Sequence, residues 1–166
     1  MASNTKPRKS SKVLDREHYI PLYLINLANG LSRSASRVYL ARFGVGIIEW
    51  RILSILSIES NVTSVHICQS IELDRAAASR SLRVLEEKKL VSITKDKDDN
   101  RKRLIIITAK GKTLHDKILD IVLKREKLLL KNLPKEQVDQ LRDSLKDLSE
   151  NALKVYEYDS KLIKES

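Results

Sequence analysis

Arg75, Ser79 and Arg83, with Ala76 and Arg80 beside them, recur at helical spacing and share one side of a short helix. Ala76, Ala77 and Ser79 are small enough to let a helix backbone come close to the edges of bases. Arg80 suits bidentate hydrogen bonding to guanine, a contact contributing roughly 1–3 kcal/mol of discrimination. Arg75 and Arg83 suit phosphate anchoring. A solvated basic helix face has the same composition, so the helix alone does not decide between the two readings.

A second basic element lies close by. Arg80 stands sixteen residues before the charged stretch Asp96-Lys97-Asp98-Asp99-Asn100-Arg101-Lys102-Arg103, which leads into the β-branched run Leu104 to Ile107. Carboxylates at Asp96 and Asp99 can accept hydrogen bonds from loop amides or an arginine, fixing the tip and aiming Arg101 at a minor groove, with Lys102 and Arg103 behind it. Asp and Asn also favour plain solvated turns. The order decides: a basic helix, then a hairpin loop, then a strand and a capped helix read as a recognition helix with a wing.

Those residues need elements to hold them. Gly and Pro are scarce, at four and three, and long stretches are periodic, so the chain reads as mainly α with a small β-hairpin. A first helix is expected over about 16–42, with Ile20, Leu24, Leu27, Ala28, Leu31, Ala35, Val38 and Leu40 or Ala41 as its apolar stripe and Pro21 near its start. Gly44-Val45-Gly46 breaks it, and a strongly apolar second helix runs from Ile47 to about Ile58. Thr63 is a candidate cap for a third helix reaching about Ser70, and Ile71 to Leu73 form a turn. Asp74 caps the fourth helix, Arg75 to about Lys88, whose Ala78, Leu82 and Leu85 face the core.

Two short helices joined by such a turn form a helix-turn-helix pattern. Val91 to Thr94 pairs with Leu104 to Ile107 across the charged loop, and Thr108 caps a helix over about 109–131. The last helix, about 135–162, places Val138, Leu141, Leu145, Leu148, Ala152 and Val155 at alternating spacings of three and four. That narrow seam wants a partner helix.

Composition narrows the classes. The 166 residues suit one domain over 15–166, preceded by a Lys/Ser-rich basic arm over 1–14 that either touches phosphates or solubilises the chain. There is no apolar run long enough to span a membrane and no apolar stretch typical of a signal peptide. The net charge is +10 and uneven. Residues 1–60 hold nine Lys/Arg against four Asp/Glu, residues 61–112 twelve against seven, and residues 113–166 eleven of each. A polyanion is therefore met by the middle and N-terminal side. The single cysteine, Cys68, excludes an internal disulfide framework and fits a cytoplasmic location. His18, His66 and His115 lack metal-ligand spacing, and no P-loop, dinucleotide fingerprint or nucleophile motif is present, so neither an enzyme nor a cofactor is expected.

The run Leu73 to Arg80, then Leu85-Glu86-Glu87-Lys88-Lys89-Leu90-Val91, then Asp96…Asp99-Asn100-Arg101, then Thr108-Ala109-Lys110-Gly111, resembles the multiple-antibiotic-resistance regulator (MarR) family. The resemblance covers about residues 16–160, with its specific motifs within about 63–111. It implies a winged helix-turn-helix dimer over about 47–111, recognition by the fourth helix, a wing arginine at Arg101, and dimerisation through the helices over about 16–42 and 109–162. Where the family commonly carries proline in the loop this chain has Lys97, and Asn100 replaces the first of two arginines.

The charge-neutral, heptad-patterned C-terminal third supports a dimer independently, with Tyr156 and Tyr158 as added aromatic groups. A two-fold dimer reads a pseudo-palindromic site with half-site centres about ten base pairs apart. The resemblance further implies a small aromatic or phenolic effector, an aromatic acid or its thioester, in a cleft between dimerisation and DNA-reading parts. Candidate lining groups are Asn29, Ser32, Arg33, Ser36, Arg37, Trp50, Arg51 and His66. Trp50 suits either a stacking wall or the core. Cys68 falls with Val65 on the expected apolar side of the third helix, which suits a buried, inert thiol; the alternative is an oxidant-sensing switch. The reading is thus a cytoplasmic homodimeric repressor released by a small ligand. Its rivals are a sequence-tolerant architectural DNA-binding dimer and a regulator switched by Cys68.

Overall fold

Helix-ending signals sit where the sequence places them. The structure, a computed structural model, describes residues 13–96, 99 and 102–165, so most of the basic arm and Arg101 lie outside the described residues. The chain divides into two compact units, residues 1–118 and 119–166.

The first unit holds α1 (Ile20–Phe43), α2 (Ile47–Ile58), β1 (Val62–Thr63), α3 (Ser64–Ser70), α4 (Arg75–Glu87), β2 (Val91–Lys95), β3 (Arg103–Ile107) and the start of α5 (Ala109–Leu129). Helix α1 starts at Ile20, four residues later than the sequence suggests. Asp15 explains the delay: its carboxylate accepts from the Glu17 amide at 3.1 Å and meets His18 Nδ1 at 2.9 Å, local bonds that compete with helix. Gly44, in the left-handed region at φ 68°, ends α1. The Gly46 amide, at the N-cap of α2, donates to the Glu49 carboxylate at 2.8 Å.

The sheet is antiparallel with order β1-β3-β2. Central β3 places Ile105 opposite both Val62 and Ile93. Ile52, Leu53, Ile67, Leu85 and Ile118, all fully buried, form the core of this unit. Strand β1, only two residues long, was absent from the sequence expectation because so short a run carries no alternation to read. Its pairing ties the start of α3 to the hairpin.

The Thr108-x-x-Gly111 motif fixes α5 to this unit. The Thr108 hydroxyl accepts from the Gly111 amide at 3.0 Å and donates to the Lys89 carbonyl at 2.8 Å, while its own amide donates to the Leu90 carbonyl at 3.0 Å. Gly111 is needed because a Cβ there runs into the Leu90 carbonyl oxygen and stands 2.8 Å from Ile107 Cγ1.

The second unit is the remainder of α5 and α6 (Lys135–Lys164). Leu141, Leu145 and Leu148 are 43%, 41% and 42% exposed, and no residue of α6 is buried. Most of the expected α1 stripe is also exposed in the single chain; Ala35 is its one buried member, and Tyr39, outside that stripe, is the other buried residue of the helix. No helix among the described residues is long and apolar enough to cross a membrane.

Candidate nucleic-acid interface

Helices α3 and α4 are each capped as their sequence requires. Thr63 Oγ1 accepts from the His66 amide at 3.3 Å, and Asp74 Oδ1 accepts from the Ala77 amide at 2.9 Å. Between them the chain reverses at Glu72, φ 49°. The Leu73 amide bonds the Cys68 carbonyl at 3.0 Å and the Glu72 amide the Gln69 carbonyl at 3.4 Å, the paired bonds of a Schellman turn. Arg51 Nη2 adds a bond to the Ile71 carbonyl at 3.1 Å, tying α2 to the turn.

Burial then sorts the faces of α4. Ala78, Ser81, Leu82 and Leu85 are buried, while Arg75, Ala76, Ser79, Arg80 and Arg83 are exposed and Ala77 is half-buried. An exposed row of small and cationic groups therefore stands on a helix whose other face is locked into the core. Arg83 Nε lies 3.5 Å from Glu87 one turn on, so this arginine is already partly engaged.

The hairpin stands beside that helix. The Asp96 amide bonds the Lys102 carbonyl at 3.0 Å, carrying the ladder one step past the Lys95–Arg103 pair. Asp96 Oδ1 accepts from the Asp99 amide at 3.1 Å, and the Lys102 amide donates to the Asp99 carbonyl at 2.8 Å. Lys102 Nζ is 4.0 Å from the Asp99 carboxylate. Asp96 thus braces the turn through a loop amide, as the sequence suggests, while Arg101 lies outside the described residues.

Between α3, α4 and the hairpin lies a concavity of about 390 Å³. Arg75, Arg83 and Arg103 line it with Glu86, Ser79, Cys68 and Val65. Here one expectation needs correction. Val65 is 49% exposed and Cys68 only partly buried, because Ile67 and Ile71 are the residues this helix-turn segment sends into the core. The part-buried thiol lines the same concavity as Arg75, Arg83, Arg103 and Glu86.

The eight candidate ligand residues are dispersed. Arg33 and Arg37 share a groove along α1, and Asn29 and Ser32 are exposed on the same helix. Ser36 is half-buried near Gly46. Trp50 is buried, stacked on His115 with ring centroids 5.0 Å apart and edge-on to Tyr39 at 6.3 Å. Arg51 is committed to the turn, and His66 Nε2 meets the Glu59 carboxylate at 2.7 Å. Sequence reasoning missed the Tyr39 and His115 partners of Trp50, since three separate helices deliver them.

Comparison with known proteins agrees with this geometry. Residues 43–102 match the sequence profile described as MarR family. A MarR/EmrR family transcriptional regulator from Acinetobacter sp. ADP1 is 33% identical, with a TM-score of 0.78 over 85% of this chain and 99% of that one. The S. aureus MepR–DNA complex is 21% identical (TM-score 0.73, covering 82% of this chain and 99% of that one). CouR from Rhodococcus jostii RHA1, bound to p-coumaroyl-CoA, is 22% identical (TM-score 0.71, covering 80% and 92%). These two show the fold alone. Among curated proteins none matches the chain.

Proposed function

The chain belongs to the MarR family of transcriptional regulators, and on that premise we propose that it is a sequence-specific, homodimeric repressor of the cytoplasm that a small ligand releases from its operator. The carrying observation is the exposed row Arg75, Ala76, Ser79, Arg80 and Arg83, backed by a buried Ala78, Leu82 and Leu85. Helix α4 enters the major groove, Arg80 reads a base, and Arg75 and Arg83 hold phosphates. The hairpin carries Arg101, with Lys102 and Arg103, toward the adjoining minor groove. Asp96 and Asp99 brace that wing.

Dimerisation uses the exposed apolar positions of α1 and the α6 seam, which offer far more apolar surface than a lone chain leaves bare without a purpose. An aromatic acid or its thioester is the proposed effector, and the p-coumaroyl-CoA held by CouR lends support to that class. Asn29, Ser32, Arg33, Ser36, Arg37, Trp50, Arg51 and His66 remain the proposed lining. To release DNA, the ligand must favour the arrangement that cannot bind it.

The test is DNA binding by wild type and Arg80→Ala across a panel of single-base operator variants. Wild type binds one genomic fragment far better than random duplex, and Arg80→Ala costs about 1–3 kcal/mol while relaxing preference at one position per half-site. Equal affinity for all sequences means an architectural DNA-binding protein instead. A second reading, a thiol switch, draws on the part-exposed Cys68 sharing its concavity with Arg75, Arg83 and Arg103. Peroxide-induced release that survives Cys68→Ser removes it.

A further inference from the structure

A second concavity, of about 510 Å³, opens where the end of α1, the end of α4 and the start of α5 meet. Arg42, Lys88, Lys110 and Lys117 line it around an apolar floor of Phe43, Leu90 and Leu114. No Asp or Glu is among these lining residues, and among the described residues none of the four cations forms an ion pair. The nearest carboxylates in sequence are engaged elsewhere, Glu87 with Arg83 and Asp116 with His115.

Three of the four cations have uncharged groups, not carboxylates, as their neighbours. Lys110 Nζ donates to the Lys88 carbonyl at 2.8 Å, at the C-cap of α4. Lys88 Nζ lies at the C-terminus of α1, 3.3 Å from where a Cβ on Gly44 would stand. The Arg42 guanidinium is 5.9 Å from the centre of the Phe43 ring. The bond to the Lys88 carbonyl fixes the Lys110 ammonium, which lowers the ordering cost of binding an anion there.

We propose that this concavity binds a small ligand bearing two or more phosphate-type negative charges on an apolar body. One carboxylate leaves most of four cations uncompensated, whereas a pyrophosphate engages several at once. Lysines suit phosphate as point charges, and the floor gives a ring or acyl body somewhere to lie. The volume falls within the usual range for small-ligand sites, roughly 300–1,000 Å³. A DNA duplex is convex and gains nothing from a recessed apolar floor. The site stands apart from the exposed row of α4 and does not depend on the DNA-binding reading.

The experiment titrates the full chain, by calorimetry at fixed ionic strength without divalent cations, with inorganic pyrophosphate, ADP and benzoate. Pyrophosphate and ADP bind saturably, ADP more tightly, and benzoate at least tenfold more weakly than either. Arg42→Gln combined with Lys117→Gln weakens ADP binding at least tenfold, Lys117→Arg retains it, and Arg75→Gln combined with Arg80→Gln leaves it within twofold. Unchanged thermal unfolding of the double variants separates lost binding from lost fold. The proposal is overturned if neither phosphate probe saturates, if benzoate binds as tightly, or if the α4 pair abolishes binding while the Arg42/Lys117 pair does not. It is equally overturned if the Arg42/Lys117 pair weakens random duplex as much as ADP, since the cations then serve DNA phosphates.

Discussion

Helices α4 and α6 are built on the same pattern and end in opposite situations. Both are amphipathic, with apolar residues three and four apart and charged residues elsewhere. Helix α4 buries Ala78, Leu82 and Leu85 within its own unit, and its polar face is left to act. In α6 no residue is buried, although Leu141, Leu145, Leu148 and Val155 repeat in register. Periodicity therefore specifies that a face exists and says nothing about what covers it. For α4 the cover comes from α2, α3 and the sheet of the same unit; for α6 the proposed cover is a second copy.

The largest effects separate the two helices. Leu85→Ala, at a fully buried position, costs about 3 kcal/mol from lost transfer energy and the cavity left behind. Its chemical denaturation midpoint falls equally at all protein concentrations. Leu145→Asp, at a position 41% exposed, acts through assembly instead. Sedimentation shifts it from dimer toward monomer, and the wild-type melting temperature rises with concentration while that of the variant does not. A variant that sediments like wild type removes α6 from the interface.

Next in size is Gly111→Ala, at the joint that anchors α5 to the end of α4. A methyl group there meets a backbone carbonyl and the Ile107 side chain, so α5 must shift. Overpacking of this kind costs about 2 kcal/mol. Urea unfolding measures it, and a change below about 0.5 kcal/mol contradicts the close packing described.

How much of this was readable beforehand differs between elements for physical reasons. The caps at Thr63, Asp74 and Thr108 were legible because each bond spans three residues and is written in local sequence. The α4 faces were legible because neighbours on a helix are fixed by its pitch. Strand β1 was not, since two residues become a strand only through a partner more than forty residues away in β3. Val65 and Cys68 illustrate the same limit. The third helix has seven residues, too few for its periodicity to say which side is covered, and Ile67 and Ile71 took the core. The Trp50–His115 stack and the cations around Phe43 are likewise assembled from different helices. Sequence spacing constrains groups on one element and leaves encounters between elements to packing.

The start of each helix gives a smaller contrast. Asp74 caps α4 through the Ala77 amide, whereas α6 begins after Pro134 with no side-chain cap. Asp74→Ala costs about 1 kcal/mol, read by thermal unfolding, and loosens the end of α4 that bears Arg75. Smallest is the turn that delivers the chain to that cap. Glu72 holds φ 49°, where a side chain crowds its own backbone and glycine does not. Glycine relieves that strain but also frees the unfolded chain, so the two effects nearly offset. The balance favours Glu72→Gly by about 0.5 kcal/mol, because the Schellman bonds at Leu73 and Glu72 demand this backbone whichever residue stands there. A lowered unfolding midpoint for Glu72→Gly means the left-handed turn is not under strain, and the turn then owes its shape to the Arg51 bond and the packing of Ile71.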